Sequence, residues 1–330
     1  MTAIWTTAPF TWQDGERTIR YGRGALATAG ELLGEGYLLL TTSRARETAP
    51  DVVAAAGSVV ELGTEYVEEL AAQVLSGLSS PPDLVVALGG GRIVDTAKAV
   101  AAAARTRAAA IPTTLSAAEM TKIHRRAKGA PDGTGSVRPA IVLNDPALSA
   151  SQPAEALAAS AANSLAHAVE SAVTRSASPL PRAASLETAR LTAEAYAREG
   201  DPDEEARDQL ALAAVLSGYT IDTTKYGLHH VLSQTLVRGA GVGHGPANAA
   251  MLQHTVGALA RRNPDLALPG VEPLARDLAH RAGATRLRDL GVARDTLPKL
   301  ADAASQRPDL DETPPRADRE ELLALYEAAW

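Results

Sequence analysis

The sequence predicts two domains: an α/β nucleotide-binding domain with a parallel sheet over residues 1–150, and an all-helical domain over residues 151–330. Two patterns predict this division. In the first part, short apolar runs alternate with helical patterns, whereas in the second part glycine and proline fall only between long stretches rich in alanine and leucine. The chain of 330 residues also exceeds the size at which one hydrophobic core usually stops growing.

The N-terminal part begins with a predicted β-hairpin. Residues 8–22 alternate polar and apolar side chains around Asp14-Gly15, where glycine accommodates the positive φ of a tight turn. Apolar runs predict buried strands at residues 37–42, 84–88, 108–112 and 140–143. Helical spacing is found between them, at residues 25–33, 66–78 and 93–104. Because strands that alternate with helices pair in parallel, these elements predict a parallel sheet.

The C-terminal part is predicted to consist of helices joined by short connections. Its helical patterns cover residues 154–177, 182–198, 203–219, 222–237, 245–261, 271–282 and 318–329. Residues 306–317, with the sequence QRPDLDETPPRA, are interpreted as a surface loop. The glycine-rich residues 239–245 have the composition of a phosphate loop, but they follow a predicted helix and are interpreted as a flexible connection that positions His244.

Composition excludes several classes of function. The chain contains no cysteine, so disulfides, thiolate metal sites and a cysteine nucleophile are excluded. A net charge of -7 argues against nucleic-acid binding. No run of residues approaches the roughly 20 apolar residues of a membrane span, and Met1 to Tyr21 lack the pattern of a secretory signal. We therefore expect a cytoplasmic protein with no membrane partner.

A run of three glycines is the main nucleotide-binding signal. Gly89, Gly90 and Gly91 lie between a predicted strand and a predicted helix. Glycine has no Cβ, so backbone N–H groups can approach a pyrophosphate, and the helix N-terminus adds partial positive charge there. Asp95, just inside the helix, is positioned to cap or order the bend. A plain tight turn is the alternative, but it does not require three glycines.

Threonines follow two of the other predicted strands. Thr113 and Thr114 end one strand, where hydroxyls can reach the ribose or phosphate of a bound nucleotide. Thr41 and Thr42 end an earlier strand, at a position where dinucleotide folds often have a carboxylate for the adenosine ribose. Since no carboxylate is present, both NAD and NADP remain possible cofactors.

A set of histidines and one asparagine supplies the candidate chemistry. Asn163 and His167 are four residues apart in a predicted helix, so both side chains project from one face. His230 lies in a later helix, and His244 begins the next one. Imidazoles that converge from separate helices can bind a divalent metal or donate protons. His229 must point to another face of its helix than His230.

The remaining histidines and a cluster of cations have weaker signals. The three histidines without comparable neighbours are interpreted as structural, namely His124, His254 and His280. The basic residues between two predicted strands are compatible with a small anionic ligand and comprise Lys122, Arg125, Arg126 and Lys128.

Several motifs in order resemble those of the iron-containing alcohol dehydrogenase superfamily, which has a dehydroquinate synthase-like fold, and most closely its maleylacetate reductase branch. The matching blocks are residues 89–98, Ile111-Pro112-Thr113-Thr114 with Glu119-Met120-Thr121, Asn144-Asp145-Pro146, residues 163–170, Gly227-Leu228-His229-His230, and His244-Gly245. The resemblance implies an NAD(P)-dependent oxidoreductase. Family members often form dimers, and the hairpin edge is compatible with a homodimer.

This chain departs from the family pattern at three positions. Metal-dependent members have Asp where this chain has Asn163, so the resemblance implies ligands at Asn163, His167, His230 and His244 only if a metal is present at all. An amide oxygen binds a divalent cation more weakly than a carboxylate does, so the metal is doubtful. Maleylacetate reductases also have Asn at this position. Gln234 replaces a histidine that is often implicated in proton transfer, and Arg92 replaces a serine.

The sequence therefore predicts hydride transfer from NAD(P)H to a small carbonyl or conjugated enone in a cleft between the domains. His230 or His244 is expected to supply the proton, while His167 and Asn163 hold the polar end of the substrate. Gln234 is a further candidate for contact with the substrate. Three alternatives remain: an iron- or zinc-dependent alcohol dehydrogenase, a non-redox cyclase or lyase of the dehydroquinate synthase type, and a cofactor-binding protein that has lost catalysis.

Overall fold

The computed structural model describes residues 7–198 and 200–330. It divides into two compact units, Met1–Ser151 and Gln152–Trp330. Residues 1–6, which belong to the segment expected to lack a secretory signal, lie outside the described residues. No helix in the described ranges is long and apolar enough to cross a membrane.

The first unit contains a seven-stranded sheet. Its strands are β1 (Phe10–Asp14), β2 (Arg17–Tyr21), β3 (Leu38–Thr41), β4 (Ser58–Glu61), β5 (Leu84–Gly89), β6 (Arg107–Pro112) and β7 (Ile141–Asn144). Their order across the sheet is β1-β2-β7-β6-β5-β3-β4. Only β1 and β2 pair antiparallel, with Asp14 opposite Arg17, and the other neighbours are parallel. The predicted hairpin and parallel sheet are confirmed.

Helices cover both faces of this sheet. They are α1 (Ala29–Leu33), α2 (Ser43–Arg46), α3 (Pro50–Ala55), α4 (Val67–Ser76) and α5 (Gly91–Ala104). Alternate residues of β5 enter different cores: Val85 packs with residues of α4 and α5, and Val86 packs with residues of α1 and α3. Burial on both faces explains why β5 is apolar at every position.

Short elements of this unit differ from the prediction. Strand β4 was not predicted, because it lies at the sheet edge and its first and last residues, Ser58 and Glu61, are exposed. Helices α2 and α3 were also missed, since four and six residues are too few to establish a helical period. The segment predicted as one helix from residue 25 to residue 33 is a 3-10 turn, Ala25–Thr28, followed by α1.

The second unit is helical, as predicted. Its α-helices are α6 (Ala154–Ser171), α7 (Pro179–Ala195), α8 (Glu204–Thr224), α9 (Leu228–Ala240), α10 (His244–Arg262), α11 (Val271–Arg281), α12 (Leu297–Ser305) and α13 (Arg319–Ala329). The predicted break between residues 219 and 222 is wrong, because α8 continues to Thr224. Helix α12 was not predicted. The glycine-rich connection ends α9 at Gly241, with φ of 70°, and α10 begins at His244.

The segment interpreted as a surface loop, residues 306–317, is partly built into the core of this unit. It contains the 3-10 helix Pro308–Glu312, in which Leu310 is buried. The Thr313 hydroxyl accepts a hydrogen bond from the first amide of α9, at Leu228, over 3.0 Å. The surface interpretation is corrected accordingly.

Candidate active site

The glycine bend joins β5 to α5 in the N-terminal unit. Gly89 ends the strand, Gly90 is the N-cap, and Gly91 begins the helix. The amides of Ile93 and Val94 donate to the Gly90 carbonyl over 2.9 and 3.1 Å. Amides earlier in the first turn have no acceptor within the helix, and the helix dipole adds partial positive charge at this end. Backbone groups arranged in this way can accommodate an anion.

Each glycine of the bend is in close contact with another group. A Cβ on Gly89 would lie 2.7 Å from the Ile93 side chain, and one on Gly90 would lie 3.1 Å from the Thr114 hydroxyl. On Gly91 it would lie 2.9 Å from the Ser116 side chain. The bend thus excludes side chains of its own and brings two hydroxyls beside the helix N-terminus. This cradle fits the pyrophosphate of a dinucleotide, and Ser116 is a member that the sequence did not identify.

Asp95 has a different role from the predicted one. Its carboxylate lies 2.7 Å from Lys98 Nζ. The N-cap of α5 is Gly90, and no side chain accepts a capping hydrogen bond at this end of the helix. Lys98 is fully buried and donates to the carbonyls of Ala118, Thr121 and Ile123 over 2.8 to 3.1 Å. Asp95 therefore orders the segment after β6 through Lys98, rather than the glycine bend by capping.

The two other predicted cofactor contacts differ in their availability. The Thr113 amide donates to the Gly89 carbonyl over 3.0 Å, so this residue closes the bend through its backbone. Thr41 is fully buried, and its hydroxyl donates to the Leu88 carbonyl over 2.9 Å. Thr41 therefore ties β3 to β5, and its hydroxyl is not presented to a ligand.

A buried carboxyl lies behind the segment that follows β6. Glu119 is fully buried, and its Oε1 accepts from the Asn144 amide over 3.2 Å. Oε2 has no hydrogen-bond partner within the described residues. Burial raises the pKa of Glu119 to about 7, because the charged form loses its hydration.

In the helical unit, α6 and α9 bring the predicted polar residues together. Asn163, His167 and Glu170 are buried on α6. The His167 ring stacks on the His230 ring of α9, with centroids 4.8 Å apart and planes 22° apart. His167 Nδ1 also lies 3.4 Å from the Ser217 hydroxyl of α8. The sequence predicted the histidine pair, but it gave no role to Glu170 or Ser217.

Glu170 connects the histidine pair to the start of α9. Its Oε1 accepts from the amides of Gly227 and His229 over 3.0 and 2.6 Å. Its Oε2 lies 2.5 Å from His230 Nδ1. The carboxylate therefore caps α9 and orients the His230 ring, and no described residue is a hydrogen-bond partner of His230 Nε2.

Burial shifts the protonation of this group. It raises the pKa of Glu170, although the amide hydrogen bonds oppose the shift. It lowers the pKa values of His167, His229 and His230, and the neighbouring histidines lower them further. All three rings are therefore uncharged near neutral pH.

A second hydrogen-bonded chain runs through α10. Asn248 Nδ2 lies 3.0 Å from Asn163 Oδ1 and 3.0 Å from His244 Nε2. Its Oδ1 lies 3.1 Å from His229 Nε2, and His229 Nδ1 lies 2.8 Å from the Thr255 hydroxyl. His229 bonds to Thr255 and Asn248 of α10, whereas His230 bonds to Glu170 of α6, so the two rings have different partners in the same cluster.

Gln234, the predicted substrate contact, is bonded to an arginine from the segment after α12. Arg307 Nη2 donates to Gln234 Oε1 over 3.1 Å and lies 3.4 Å from the Tyr226 hydroxyl. Asp309 accepts from Nε and Nη2 of the same guanidinium over 3.0 and 2.8 Å. The Tyr226 ring lies 5.7 Å from the His230 ring. A cation is thus placed beside Gln234, in a segment for which the sequence indicated no such role.

Other residues singled out by the sequence lie outside this cluster. His124 Nε2 accepts from the Val137 amide over 3.2 Å in the N-terminal unit, which fits its structural interpretation. Arg126, one of the four clustered cations, pairs with exposed Asp132 at 3.3 Å. These cations belong to the N-terminal unit, whereas the histidine cluster belongs to the helical unit.

The donor set does not fit a divalent metal ion. Asn163 offers a neutral oxygen that already accepts from Asn248. In the described part of the chain, no three His, Asp or Glu side chains are grouped so that they could hold a metal ion.

Comparison with known proteins identifies relatives along the whole length of the two units. Residues 16–146 match the family described as iron-containing alcohol dehydrogenase, and residues 157–267 match the C-terminal part of the Fe-containing alcohol dehydrogenase family. The maleylacetate reductase of Pseudomonas aeruginosa is 30% identical over 313 residues, covering 89% of this chain and 88% of that protein.

Further similar proteins have the same description. Maleylacetate reductase 1 of Rhodococcus opacus is 30% identical over 269 residues, covering 76% of this chain and 74% of that protein. The crystal structure of maleylacetate reductase from a Rhizobium species matches this fold with a TM-score of 0.84 at 25% identity, covering 98% of each chain.

Proposed function

The chain belongs to the iron-containing alcohol dehydrogenase superfamily and is an NAD(P)-dependent oxidoreductase. From this premise we propose that it is a metal-independent reductase, and that its substrates are carbonyls or conjugated enones similar to maleylacetate. The observation that carries the proposal is the cluster of His167, His230 and His244 with Asn163, in which burial keeps His167 and His230 uncharged and Asn163 and His244 bond to the protein's own Asn248.

The N-terminal unit would hold the cofactor. When bound, the reduced nicotinamide cofactor supplies a hydride. The first-turn amides of α5 bind its pyrophosphate, and the hydroxyls of Thr114 and Ser116 lie beside them. Neither Thr41 nor Thr42 supplies a carboxylate for the adenosine ribose, so we propose that NADPH is accepted as well as NADH.

The helical unit would supply the proton. Hydride addition to a carbonyl or enone leaves negative charge on oxygen or carbon, and a neutral imidazole can donate a proton there. His244 is exposed, whereas His230 is buried and held by Glu170. We assign proton donation to His244 and orientation of the substrate to His167 and His230. Gln234 cannot act as a general acid, because an amide does not release a proton near neutral pH.

Arg307 is our candidate for binding a substrate carboxylate. Asp309 and Gln234 occupy Nε and Nη2 of its guanidinium, while Nη1 is buried with no partner among the described residues. A carboxylate that bonds to Nη1 would receive a charge-assisted hydrogen bond. Arg307 is therefore preferred over Lys122, Arg125 and Arg126, which the sequence suggested by proximity alone.

The proposal is tested by screening carbonyl substrates, including maleylacetate, with NADH and NADPH. We expect cofactor oxidation that depends on substrate and is unchanged after treatment with a chelator. Activity that disappears with the chelator and returns with iron or zinc would instead identify a metal-dependent alcohol dehydrogenase. Substrate consumption without net cofactor oxidation would identify non-redox chemistry.

A further inference from the structure

One buried amide stands between two residues that the family resemblance names as metal ligands. Asn248, on α10, is fully buried. Its Nδ2 lies 3.0 Å from Asn163 Oδ1 on α6 and 3.0 Å from His244 Nε2, one turn earlier on α10. A single nitrogen therefore meets the lone pairs of an oxygen and a ring nitrogen, which are the atom types that a divalent cation takes as ligands.

The other side of the amide is also fixed. Asn248 Oδ1 accepts from His229 Nε2 over 3.1 Å, and His229 Nδ1 meets the Thr255 hydroxyl at 2.8 Å. His229 and Thr255 are fully buried, so water cannot take over these hydrogen bonds unless the core opens. In the structure the NH2 group of Asn248 points toward Asn163 and His244, and its oxygen points toward His229.

We propose that the Asn248 amide takes the place of a cation in this chain. Its two N–H bonds hold Asn163 Oδ1 and His244 Nε2 together and fix the tautomer of the His244 ring. An NH2 group only donates, so His244 Nε2 must accept, and a neutral imidazole then has its proton on Nδ1. Asn248 is therefore a positioning residue, which makes Nδ1 the atom from which His244 gives a proton.

This inference explains why the donor set does not fit a metal. A cation between Asn163 and His244 would have to displace the Asn248 amide and leave two buried N–H groups unpaired. Leaving a buried donor unpaired costs about 1–3 kcal/mol. The inference rests on the proposed function only where it assigns the His244 proton to the substrate, because the ring tautomer is a property of the protein alone.

Nitrogen NMR of histidine-labelled, metal-free protein tests the tautomer directly. We expect His244, assigned with the His244→Gln variant, to have its proton on Nδ1. Asn248→Ala should release the ring to a mixture of tautomers, and Asn248→Asp, whose carboxylate only accepts, should move the proton to Nε2. Gln253→Ala is the matched control, because Gln253 lies on the same helix and bonds to the Thr285 carbonyl. It should leave the His244 signal unchanged.

The wild-type spectrum decides the matter even if the Asn248 variants fail to fold. An Nε2 proton on His244 in wild-type protein would overturn the proposal, and so would equal spectra of wild type and Asn248→Ala. Added Zn2+ should leave the wild-type tautomer in place and bind well below one ion per chain. One bound ion per chain with a changed His244 signal would also overturn it. A protein with the expected tautomer but no reductase activity would contradict the proposed function and leave the inference about Asn248 in place.

Discussion

Substitution of Glu170 tests how the histidine cluster is organised. Glu170→Gln keeps the size of the side chain and the Oε1 that accepts from Gly227 and His229, but it places an NH2 group opposite His230 Nδ1. The ring must then give up its Nδ1 proton or lose the contact. Misplacement of a group in an active site can cost about 100-fold in rate, so we expect kcat to fall by up to about that factor with the cofactor Kd unchanged.

The effect on stability separates orientation from capping. Glu170→Ala leaves the amides of Gly227 and His229 and the His230 ring without their acceptor, at about 1–3 kcal/mol for each unpaired buried group. We expect a loss of about 3–5 kcal/mol in the free energy of unfolding for Ala and about 1 kcal/mol for Gln, measured by urea denaturation. Glu155→Gln, an exposed change on the same helix, is the control. If Glu170→Gln lost stability but kept wild-type kcat, the orienting role would be refuted.

Three further substitutions test the other parts of the molecule. Gly91→Ala should raise the Kd of the cofactor, because the added Cβ would lie 2.9 Å from the Ser116 side chain. Gly30→Ala is the control and should leave the Kd unchanged, since a Cβ there has no neighbour within 4 Å. The same cofactor Kd for both variants would contradict the assigned cradle. Arg307→Lys should raise KM for a carboxylate substrate about tenfold and leave KM for a neutral carbonyl nearly unchanged. The reason is that one ammonium group cannot keep the bonds to Asp309 and Gln234 and also bind a carboxylate. Parallel changes in both KM values would contradict the assignment of Arg307 as the carboxylate site. Glu119→Gln should remove a pH dependence of stability. Because burial raises the folded-state pKa of Glu119 from 4.5 to about 7, the free energy of unfolding of the wild type falls as pH rises through that window. Urea denaturation should therefore show the variant gaining up to about 3 kcal/mol relative to wild type between pH 5 and pH 8, whereas a constant difference would show that Glu119 does not titrate there.

Hydrophobic periodicity predicted the fold because most elements bury a regular face. Strand β5 is apolar at every position, and the long helix α6 alternates alanine and leucine with polar residues. The sequence placed the connection between α8 and α9 at residues 220–221, but in the structure α8 runs on to Thr224 and the connection is residues 225–227. In the structure, the hydroxyls of Thr223 and Thr224 bond back to the carbonyls of Tyr219 and Thr220 over 2.8 and 2.9 Å. These hydroxyl groups find hydrogen-bond acceptors on the backbone of their own helix, which the composition of the segment does not reveal.

The candidate site was predicted only where spacing along one element sufficed. The four-residue spacing of Asn163 and His167 placed both on one face of α6, where they are buried. The same spacing relates His244 to Asn248 and would have identified the amide. The contacts of Glu170 with His230 and of Arg307 with Gln234 join residues 60 and 73 positions apart, which no local pattern encodes. The position of Thr41 at a strand end suggested a ligand contact, but its partner, the Leu88 carbonyl, is on a neighbouring strand.

The central claim is that this chain transfers a hydride without a metal, with the proton supplied by its own His244. It is tested most directly by mixing chelator-treated, metal-analysed protein with NADPH or NADH and maleylacetate, and measuring both the cofactor oxidised and the substrate reduced. We predict that one cofactor is oxidised for each substrate reduced, with no metal bound. Turnover that appears only when iron or zinc is restored, or substrate loss without cofactor oxidation, would contradict the account.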